Sequence, residues 1–526
     1  MGRIKKEGLI LLIRSFKKIN EEIENKQQID VEVLTDCQSQ AVDLGNYIEL
    51  LYKDINTSDL IHKLEEYCEF VYQLSLPENC CEMKRILKKT RKLLFAIESD
   101  IQYLLPEDKK IIVFLPYKAS MWDSLESIYF AAKEDPMCEV YVIPIPYYDK
   151  NPDGSFGRNH YEGEDFPENI PITSWQEFSI EENRPDVIFV HNPYDNWNFA
   201  TSVYPQFYCR ELKKHTDELV YVPYFVLHEI KLENRFEVDK IKHFASLPGV
   251  IYADKVIVQS EEMKKIYVTE FIAWAEEHKL AGKYTDKAYQ DNRILGIGSP
   301  KFDKLFSDGA KRIPLQWEAK IGSGEGRKKV IFFNTNVSLI LNNGDYFVEN
   351  LKRIEKIFER YSKEYVVIWR EHPLTYESMK SMRPQILEEY LKFKEYFIKK
   401  DWVIMDETPE WHQAVAVSDC YYGAGGSLSA LYLATKKPIM ITDYKYPNGI
   451  SNKEVTVETM FRMMNKKHYF NEVFSNLLDL FLSKFVQISE HQKKCLEFLP
   501  EPDEIKQVCV GKRIYDCCCG QRRGNV

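Results

Sequence analysis

The sequence predicts an α/β protein in which two doubly wound, Rossmann-like domains face a cleft, preceded by an all-helical domain. Two observations predict this architecture. Up to about residue 106, apolar side chains recur at helical spacing, as in Leu44, Ile48, Leu51 and Ile55. Beyond that point, short runs rich in Val, Ile, Tyr and Phe alternate with helical stretches, which is typical of buried parallel strands joined by crossover helices.

Length and charge limit the class of protein. A chain of 526 residues is long enough for two or three domains. The formal net charge of −10 disfavours a nucleic-acid partner, because such proteins usually present a basic face. No apolar stretch has the length of a membrane span, and no small-residue cleavage site follows the apolar residues 8–13. We therefore expect a cytoplasmic protein.

The helical domain is predicted to cover residues 1–106. Breaks at residues 56–59 and 77–79 divide it into four helices that fit an antiparallel bundle. The first twenty residues combine a basic face with apolar residues at helical spacing, and two interpretations stay open. The favoured one is a helix that packs on its own domain; the other is peripheral contact with the inner face of the cell membrane.

The first Rossmann-like domain is predicted over residues 107–312. Its strands are expected at 111–117, 140–147, 187–192, 219–226 and 256–259, with helices at 124–132 and 207–215. A linker follows at 313–327. Its glycines, 322–326 (GSGEG), precede the next strand instead of following it, so they indicate a hinge and not a nucleotide-binding fingerprint.

The second Rossmann-like domain is predicted over residues 328–450. Strands are expected at 330–334, 365–369, 402–405 and 438–442, and helices at 346–363, around 383–396, and from Thr408-Pro409-Glu410 onward. Residues 451–513 are predicted to be helices that pack back on the first α/β domain. Residues 514–526, which include three consecutive cysteines, are predicted to be an unstructured, reduced tail.

A glycine turn in residues 421–430 (YYGAGGSLSA) is the most informative local feature. It opens a predicted helix at 428–434, so the backbone N–H groups around Gly425 and Gly426 would form a seat for phosphate. The alternative is a tight turn whose glycines serve only the backbone conformation.

Polar residues at strand ends supply further candidates, since ligands bind outside the carboxyl ends of parallel strands. Arg370 and His372 follow the strand at 365–369 and could grip a diphosphate. Thr335 and Asn336 follow the strand at 330–334, where they would either donate to phosphate oxygens or cap a helix.

Acceptor-side candidates lie in the first α/β domain. His228, after the strand at 219–226, is a general-base candidate for an acceptor hydroxyl, and His191 is its rival. Asp195 is a candidate acceptor of hydrogen bonds from substrate hydroxyls. The alternative for all three is a structural role. Because no Asp-x-Asp pair stands at a strand end, we expect no metal and no cofactor.

Three segments together resemble the CDP-glycerol glycerophosphotransferase family: residues 369–374 (WREHPL), residues 417–440 around the glycine turn, and residues 298–305 (GSPKFDKL). The resemblance covers roughly residues 110–450. It implies a GT-B fold, a nucleotide diphosphate bound by the C-terminal domain, and a role in teichoic-acid-like polymer synthesis for the cell wall. It further implies that His372 contacts phosphate, that Ser427 and Ser429 correspond to the family's serines at a helix start, and that His228 is the acceptor-side histidine.

The leading functional hypothesis is therefore a transferase that moves glycerol phosphate, or a related alcohol phosphate, from a CDP-linked donor to a hydroxyl of a polyol-phosphate or glycan acceptor. Two alternatives stay open. One is a GT-B glycosyltransferase that uses a nucleotide sugar, and the other is an inactive GT-B-derived binding or scaffold protein.

Overall fold

The computed structural model describes residues 5–441 and 509–519, apart from 27–29, 77–80, 152, 228–229, 308–311, 409, 434, 436 and 438. The chain divides into two compact units. One comprises Met1–Lys110 with Glu181–Arg184, and the other Ile111–Ile180 with Pro185–Val526.

The first unit is a bundle of four helices: α1 (Lys6–Lys26), α2 (Val31–Leu51), α3 (Ser58–Ser75) and α4 (Met83–Leu104). Helices α1 and α4 run antiparallel, because Arg14 pairs with Glu98 while Asn20 donates to the carbonyl of Leu87. The apolar face of α1 lies in the bundle core, where Ile13 is fully buried. This packing agrees with the favoured interpretation of the N-terminal segment, and peripheral membrane contact stays a prediction. None of the described helices is long and apolar enough to cross a membrane.

A six-stranded sheet organises the first α/β domain, in the order β2-β1-β5-β7-β8-β9. Its strands are β1 (Lys110–Leu115), β2 (Cys138–Val142), β5 (Val187–Val190), β7 (Glu218–Tyr221), β8 (Lys255–Ile257) and β9 (Ile294–Leu295). From β1 to β9 each neighbouring pair is parallel. Alternate residues of β1 enter two separate apolar cores, Val113 on one face and Phe114 on the other, so helices cover both faces.

The short helix α6 (Ile180–Asn183) lies almost wholly in the first compact unit. The helices of the first α/β domain are α5 (Glu126–Lys133), α7 (Cys209–Leu212), α8 (Arg235–Ile241), α9 (Pro248–Tyr252), α10 (Glu261–Glu277), α11 (Lys287–Arg293) and α12 (Pro300–Phe306). The predicted helix at 124–132 begins instead with a 3₁₀ turn over Ala119–Ser124. The predicted helix at 207–215 shrinks to α7.

A three-stranded antiparallel sheet, in the order β4-β3-β6, was not predicted from the sequence. It contains β3 (Tyr147–Lys150), β4 (Phe156–His160) and β6 (Thr201–Val203). The predicted strand at 140–147 is divided between the two sheets. Pro144 and Pro146 cannot donate ladder hydrogen bonds, so β2 ends at Val142 and the chain resumes as a strand at Tyr147.

The second α/β domain is built on a five-stranded parallel sheet in the order β12-β11-β10-β13-β14. The strands are β10 (Lys329–Thr335), β11 (Tyr365–Glu371), β12 (Val403–Met405), β13 (Cys420–Gly423) and β14 (Ile439–Ile441). The helices are α13 (Leu315–Ile321), α14 (Val337–Asn343), α15 (Phe347–Arg360), α16 (Thr375–Met382), α17 (Pro384–Ile398), α18 (Trp411–Val417) and α19 (Ser427–Leu433). Phe333 and Phe332 of β10 enter opposite cores, so this sheet is also doubly wound.

The predicted helix start at Thr408-Pro409-Glu410 is wrong by two residues. The Asp406 carboxylate accepts the backbone N–H of Thr408 at 3.1 Å and its hydroxyl at 2.7 Å, which makes a turn there. Helix α18 begins only at Trp411.

Residues 510–513 are helical, as predicted, but the prediction of an unstructured tail is wrong for residues 514–518, because both stretches belong to one helix, α20 (Val510–Cys518). The Asp303 carboxylate accepts the N–H groups of Val510 and Gly511, each at 2.8 Å, and so caps this helix from a distant part of the chain. A side chain at Gly511 would clash with the backbone of Ser127, so glycine permits the close packing of α20 on α5. The helices predicted for 451–508 lie outside the described residues.

Candidate functional site

The strand order of the second α/β domain contains a topological switch point between β10 and β13. From β10 the chain moves outward through β11 to β12, then crosses to β13 and β14 on the other side. The loops that follow β10 and β13 therefore leave the sheet in opposite directions. This opens a crevice at the carboxyl edge of the sheet, where ligands bind in doubly wound folds.

Asn336 joins the two loops that border this switch-point crevice. Its Nδ2 donates to the carbonyl of Gly425 at 2.8 Å, and its Oδ1 accepts the N–H of Leu339 at 2.9 Å as the cap of α14. Of the two roles predicted for Asn336, the structure shows the helix cap. Its amide donor already serves the glycine turn, so Asn336 shapes the crevice from below.

The glycine turn lies between β13 and α19, in the order strand, glycines, helix. Gly423 has a φ of 152°, and a side chain there would come within 2.0 Å of the carbonyl oxygen of Asn334. Glycine is therefore required at this position because the backbones of β13 and β10 approach so closely.

The amides of the turn differ in what they offer to a ligand. The N–H of Gly426 donates to the Ser429 hydroxyl at 2.9 Å, and Ser429 is fully buried. Ser429 and the Gly426 amide are thus committed to the start of the helix, contrary to the prediction that they bind phosphate. Ser427, by contrast, is exposed at the edge of the crevice.

His372 lies immediately after β11, next to the loop that follows β10. Its backbone N–H donates to the carbonyl of Thr335 at 2.8 Å, and its ring Nδ1 accepts the N–H of Leu374 at 3.1 Å. Because Nδ1 accepts a hydrogen bond, the neutral ring carries its hydrogen on Nε2. The ring is exposed, yet partial desolvation by nearby protein atoms lowers its pKa from the usual 6.5. The exposed ring therefore has a neutral N–H donor at Nε2, on the loop that follows β11.

Arg370 is held by a buried carboxylate that the sequence analysis did not single out. Its Nη1 donates to Oδ2 of Asp406 at 2.7 Å, and the Asp406 side chain is fully buried. The Arg370 side chain keeps 14% of its surface exposed. Most of its charge is therefore offset by Asp406, and its role as a phosphate ligand stays a prediction.

Thr335 does not reach the crevice. It is buried, and its hydroxyl accepts the indole N–H of Trp369 at 3.2 Å. The prediction that its side chain donates to phosphate is therefore not supported. Thr335 contributes through its carbonyl, which anchors His372.

His191 is fully buried in the first α/β domain, and both of its ring nitrogens are occupied. Nε2 accepts the N–H of Tyr117 at 3.0 Å, and Nδ1 lies 3.0 Å from the Ser124 hydroxyl. Burial lowers its pKa to about 3. His191 therefore cannot act as a base on an acceptor, and the prediction that it rivals His228 is wrong.

Asp195 is also buried, so it is not available to substrate hydroxyls as predicted. Its Oδ2 accepts the N–H of Cys209 at 2.9 Å, at the start of α7. Desolvation raises its pKa to about 7. His228 lies outside the described residues, and its role as acceptor-side base stays a prediction.

A separate pocket lies between Ala119 and His412, where the two α/β domains meet. Charged groups around it pair with one another: Lys304 with Glu126 at 2.8 Å, and His412 with Glu410 at 2.9 Å. The predicted site residues are not among those that line it. Among the described residues, no group of three or more His, Cys, Asp or Glu side chains is placed to hold a metal ion.

The two doubly wound domains and the helical N-terminal unit define a GT-B-like architecture, in which the candidate site lies at the switch point of the second domain. Comparison with protein-family models gives no match, and comparison with curated proteins gives none either.

Solved structures with similar folds include a wall teichoic acid polymerase and UDP-GlcNAc 2-epimerases. The wall teichoic acid polymerase TagF aligns over 87% of this chain and 99% of its own, with 14% identity and a TM-score of 0.40. The UDP-GlcNAc 2-epimerase of Neisseria meningitidis, solved with UDP-GlcNAc bound, aligns over 78% of this chain and 99% of its own, with 10% identity and a TM-score of 0.40. MnaA of S. aureus, solved with UDP, aligns over 69% of this chain and 90% of its own, with 11% identity and a TM-score of 0.41. At this level the similarity carries no functional argument.

Proposed function

We propose that the protein is a transferase that binds a nucleotide-diphosphate-linked donor in the switch-point crevice of its second α/β domain. The observation that carries the proposal is the arrangement of His372. It offers a neutral Nε2–H at the same sheet edge as the glycine turn, on loops that flank the end of β10. Such a preorganised donor suits the oxygens of a diphosphate, where negative charge develops as the nucleotide leaves.

Within this class, a CDP-linked alcohol phosphate, most specifically CDP-glycerol, is the proposed donor. The support is the combination of sequence segments around residues 298–305, 369–374 and 417–440, two of which border the crevice. The proposed acceptor is a hydroxyl group of a polyol-phosphate or glycan chain.

The proposed reaction is an attack of the acceptor hydroxyl on the phosphorus that bears the glycerol. A new O–P bond forms, the bond between that phosphorus and the bridging oxygen of the diphosphate breaks, and CMP leaves with the bridging oxygen. The hydroxyl proton passes to a base, for which His228 is the proposed residue. His372 would donate to the phosphate oxygens throughout, and the hydroxyl of Ser427 is proposed as a second donor.

The test is nucleotide release measured across CDP-glycerol and a panel of UDP-sugars, with a glycerol phosphate oligomer and a glycan as acceptors. Release of CMP from CDP-glycerol that depends on acceptor is the expected result. Release of UDP from a UDP-sugar, without release of CMP from CDP-glycerol, would indicate a nucleotide-sugar glycosyltransferase instead. Failure to bind CMP, CDP or UDP in calorimetric titration would support a scaffold protein and overturn the proposal.

A further inference from the structure

Helix α12, at the junction of the two α/β domains, has a polar side that is bound to the first domain. Lys301 Nζ lies 2.6 and 2.7 Å from the two carboxylate oxygens of Asp123. Asp303 accepts the Ser127 hydroxyl at 2.7 Å. These directional bonds fix α12 to the segment that follows β1, so the helix behaves as part of the first domain.

The apolar side of α12 packs on the second domain. Phe302 and Leu305 belong to one apolar core with Trp317 of α13 and residues of β10 and α18. Apolar packing is non-directional, and packed helices can slide by small amounts without exposing much surface. The contact between α12 and the second domain is therefore a plane along which the two domains could shear.

A hydrogen bond crosses this plane. The indole Nε1 of Trp411, at the start of α18, donates to Oδ2 of Asp123 at 2.6 Å. Both side chains are buried, with 5% of Trp411 and 9% of Asp123 exposed. Because Asp123 is at the same time paired with Lys301, its carboxylate is held in place on the first domain and forms a fixed acceptor for the second.

We propose that α12 moves with the first α/β domain as a shear hinge, and that the Trp411–Asp123 hydrogen bond latches the domain arrangement seen here. Sliding along the plane would preserve most of the apolar contact but break this short, directional bond. A hydrogen bond to an ionised group contributes enough free energy to change a two-state population by about 10- to 100-fold.

The test compares Trp411→Phe with the full-length native protein. Phenylalanine keeps an aromatic ring against α12 but removes the N–H. Spin labels attached through unnatural amino acids at the exposed residues Glu134 and Lys392 report the distance between the domains and leave the native cysteines untouched. The matched control is Trp317→Phe, which removes an indole from the same apolar core but not from the bond to Asp123.

The expected result is a distance distribution that gains a second population in Trp411→Phe and is unchanged in Trp317→Phe. A native distribution in Trp411→Phe would overturn the latch. Equal broadening in both variants would also overturn it, because packing instead of the hydrogen bond would then set the arrangement. If Trp411→Phe lacks a native circular dichroism spectrum, Trp411→Met serves as the second variant with the same two readings.

Discussion

Removal of the His372 side chain separates its expected role in binding donor phosphate from any role in the fold. In His372→Ala the crevice loses the Nε2–H donor, and Leu374 loses the acceptor of its N–H bond. Loss of one preorganised donor to developing negative charge costs about 100- to 1,000-fold in kcat. Loss of one hydrogen bond at an exposed turn costs about 1 kcal/mol of folding free energy.

The assay is CMP release from CDP-glycerol, accompanied by urea unfolding of each variant. His372→Asn is the informative second variant, because its Oδ1 can still accept the Leu374 N–H but its shorter side chain cannot place a donor where Nε2 lies. We expect native stability and the same kinetic loss as for alanine. The control is His278→Ala, since His278 is exposed in the first α/β domain and bonds only its own helix, at the carbonyl of Trp274.

Protonation adds a second check on His372. Because desolvation lowers its pKa below 6.5, the ring is neutral at pH 7 to 8 and donates from Nε2 throughout that range. Titration of His372 is therefore not expected to change kcat between pH 7 and 8. The native protein and His372→Asn should show the same pH dependence of kcat in this range. A native kcat/KM in His372→Ala, measured on folded protein, would refute the assignment of this residue to the donor site.

Three further outcomes follow from the contacts described above. Arg370→Met leaves the buried Asp406 carboxylate without its cation and is expected to lower the free energy of unfolding by about 3 kcal/mol in urea, whereas a loss below 1 kcal/mol would contradict a structural ion pair. Gly423→Ala is expected to prevent folding of the second α/β domain. Gly426→Ala is expected to keep native circular dichroism, because the added Cβ would have its nearest neighbour 3.8 Å away. Equal tolerance of both substitutions would contradict the close approach of the strands. Asp195→Asn is expected to raise the melting temperature above pH 7 but not at pH 4. The pKa of Asp195 is raised to about 7, so the native carboxyl contributes stability that is fully present below pH 3.8 and is lost as the pH rises through 7. An equal shift of the melting temperature at both pH values would contradict this.

The two sheets were predictable from the sequence because their strands are buried on both faces and appear as continuous apolar runs. The predicted strand at 330–334 differs from β10 by one residue at each end. The antiparallel sheet was missed because β4 has exposed residues and no apolar run to mark it. Its position depends on pairing with β3, which is a tertiary property.

The candidate site was predicted only in part, since polarity at a strand end does not say which way a side chain points. The two-residue period of β10 places Thr335 on the same face as Phe333, but both faces of this strand are buried, so the period alone did not show that Thr335 packs in the core. The partner of Arg370 was not visible, because Asp406 lies 36 residues away and meets it only through the pairing of β11 with β12.

His191 and Asp195 show the same limit in the first domain. Both follow a strand end, as ligand-binding residues do, but the loop folds inward and buries them. Asp195 even adopts a φ of 49°, a backbone conformation that the sequence does not reveal.

The position of α20 has a consequence for how the protein emerges from the ribosome. Val510, Ile514 and Tyr515 complete an apolar core that also contains Phe114 of β1. During synthesis, the part of this core that α20 covers stays exposed until both α/β domains have been translated. The nascent chain would therefore present an apolar surface to chaperones while the second α/β domain is being made, and truncation before Val510 would leave that surface exposed to solvent.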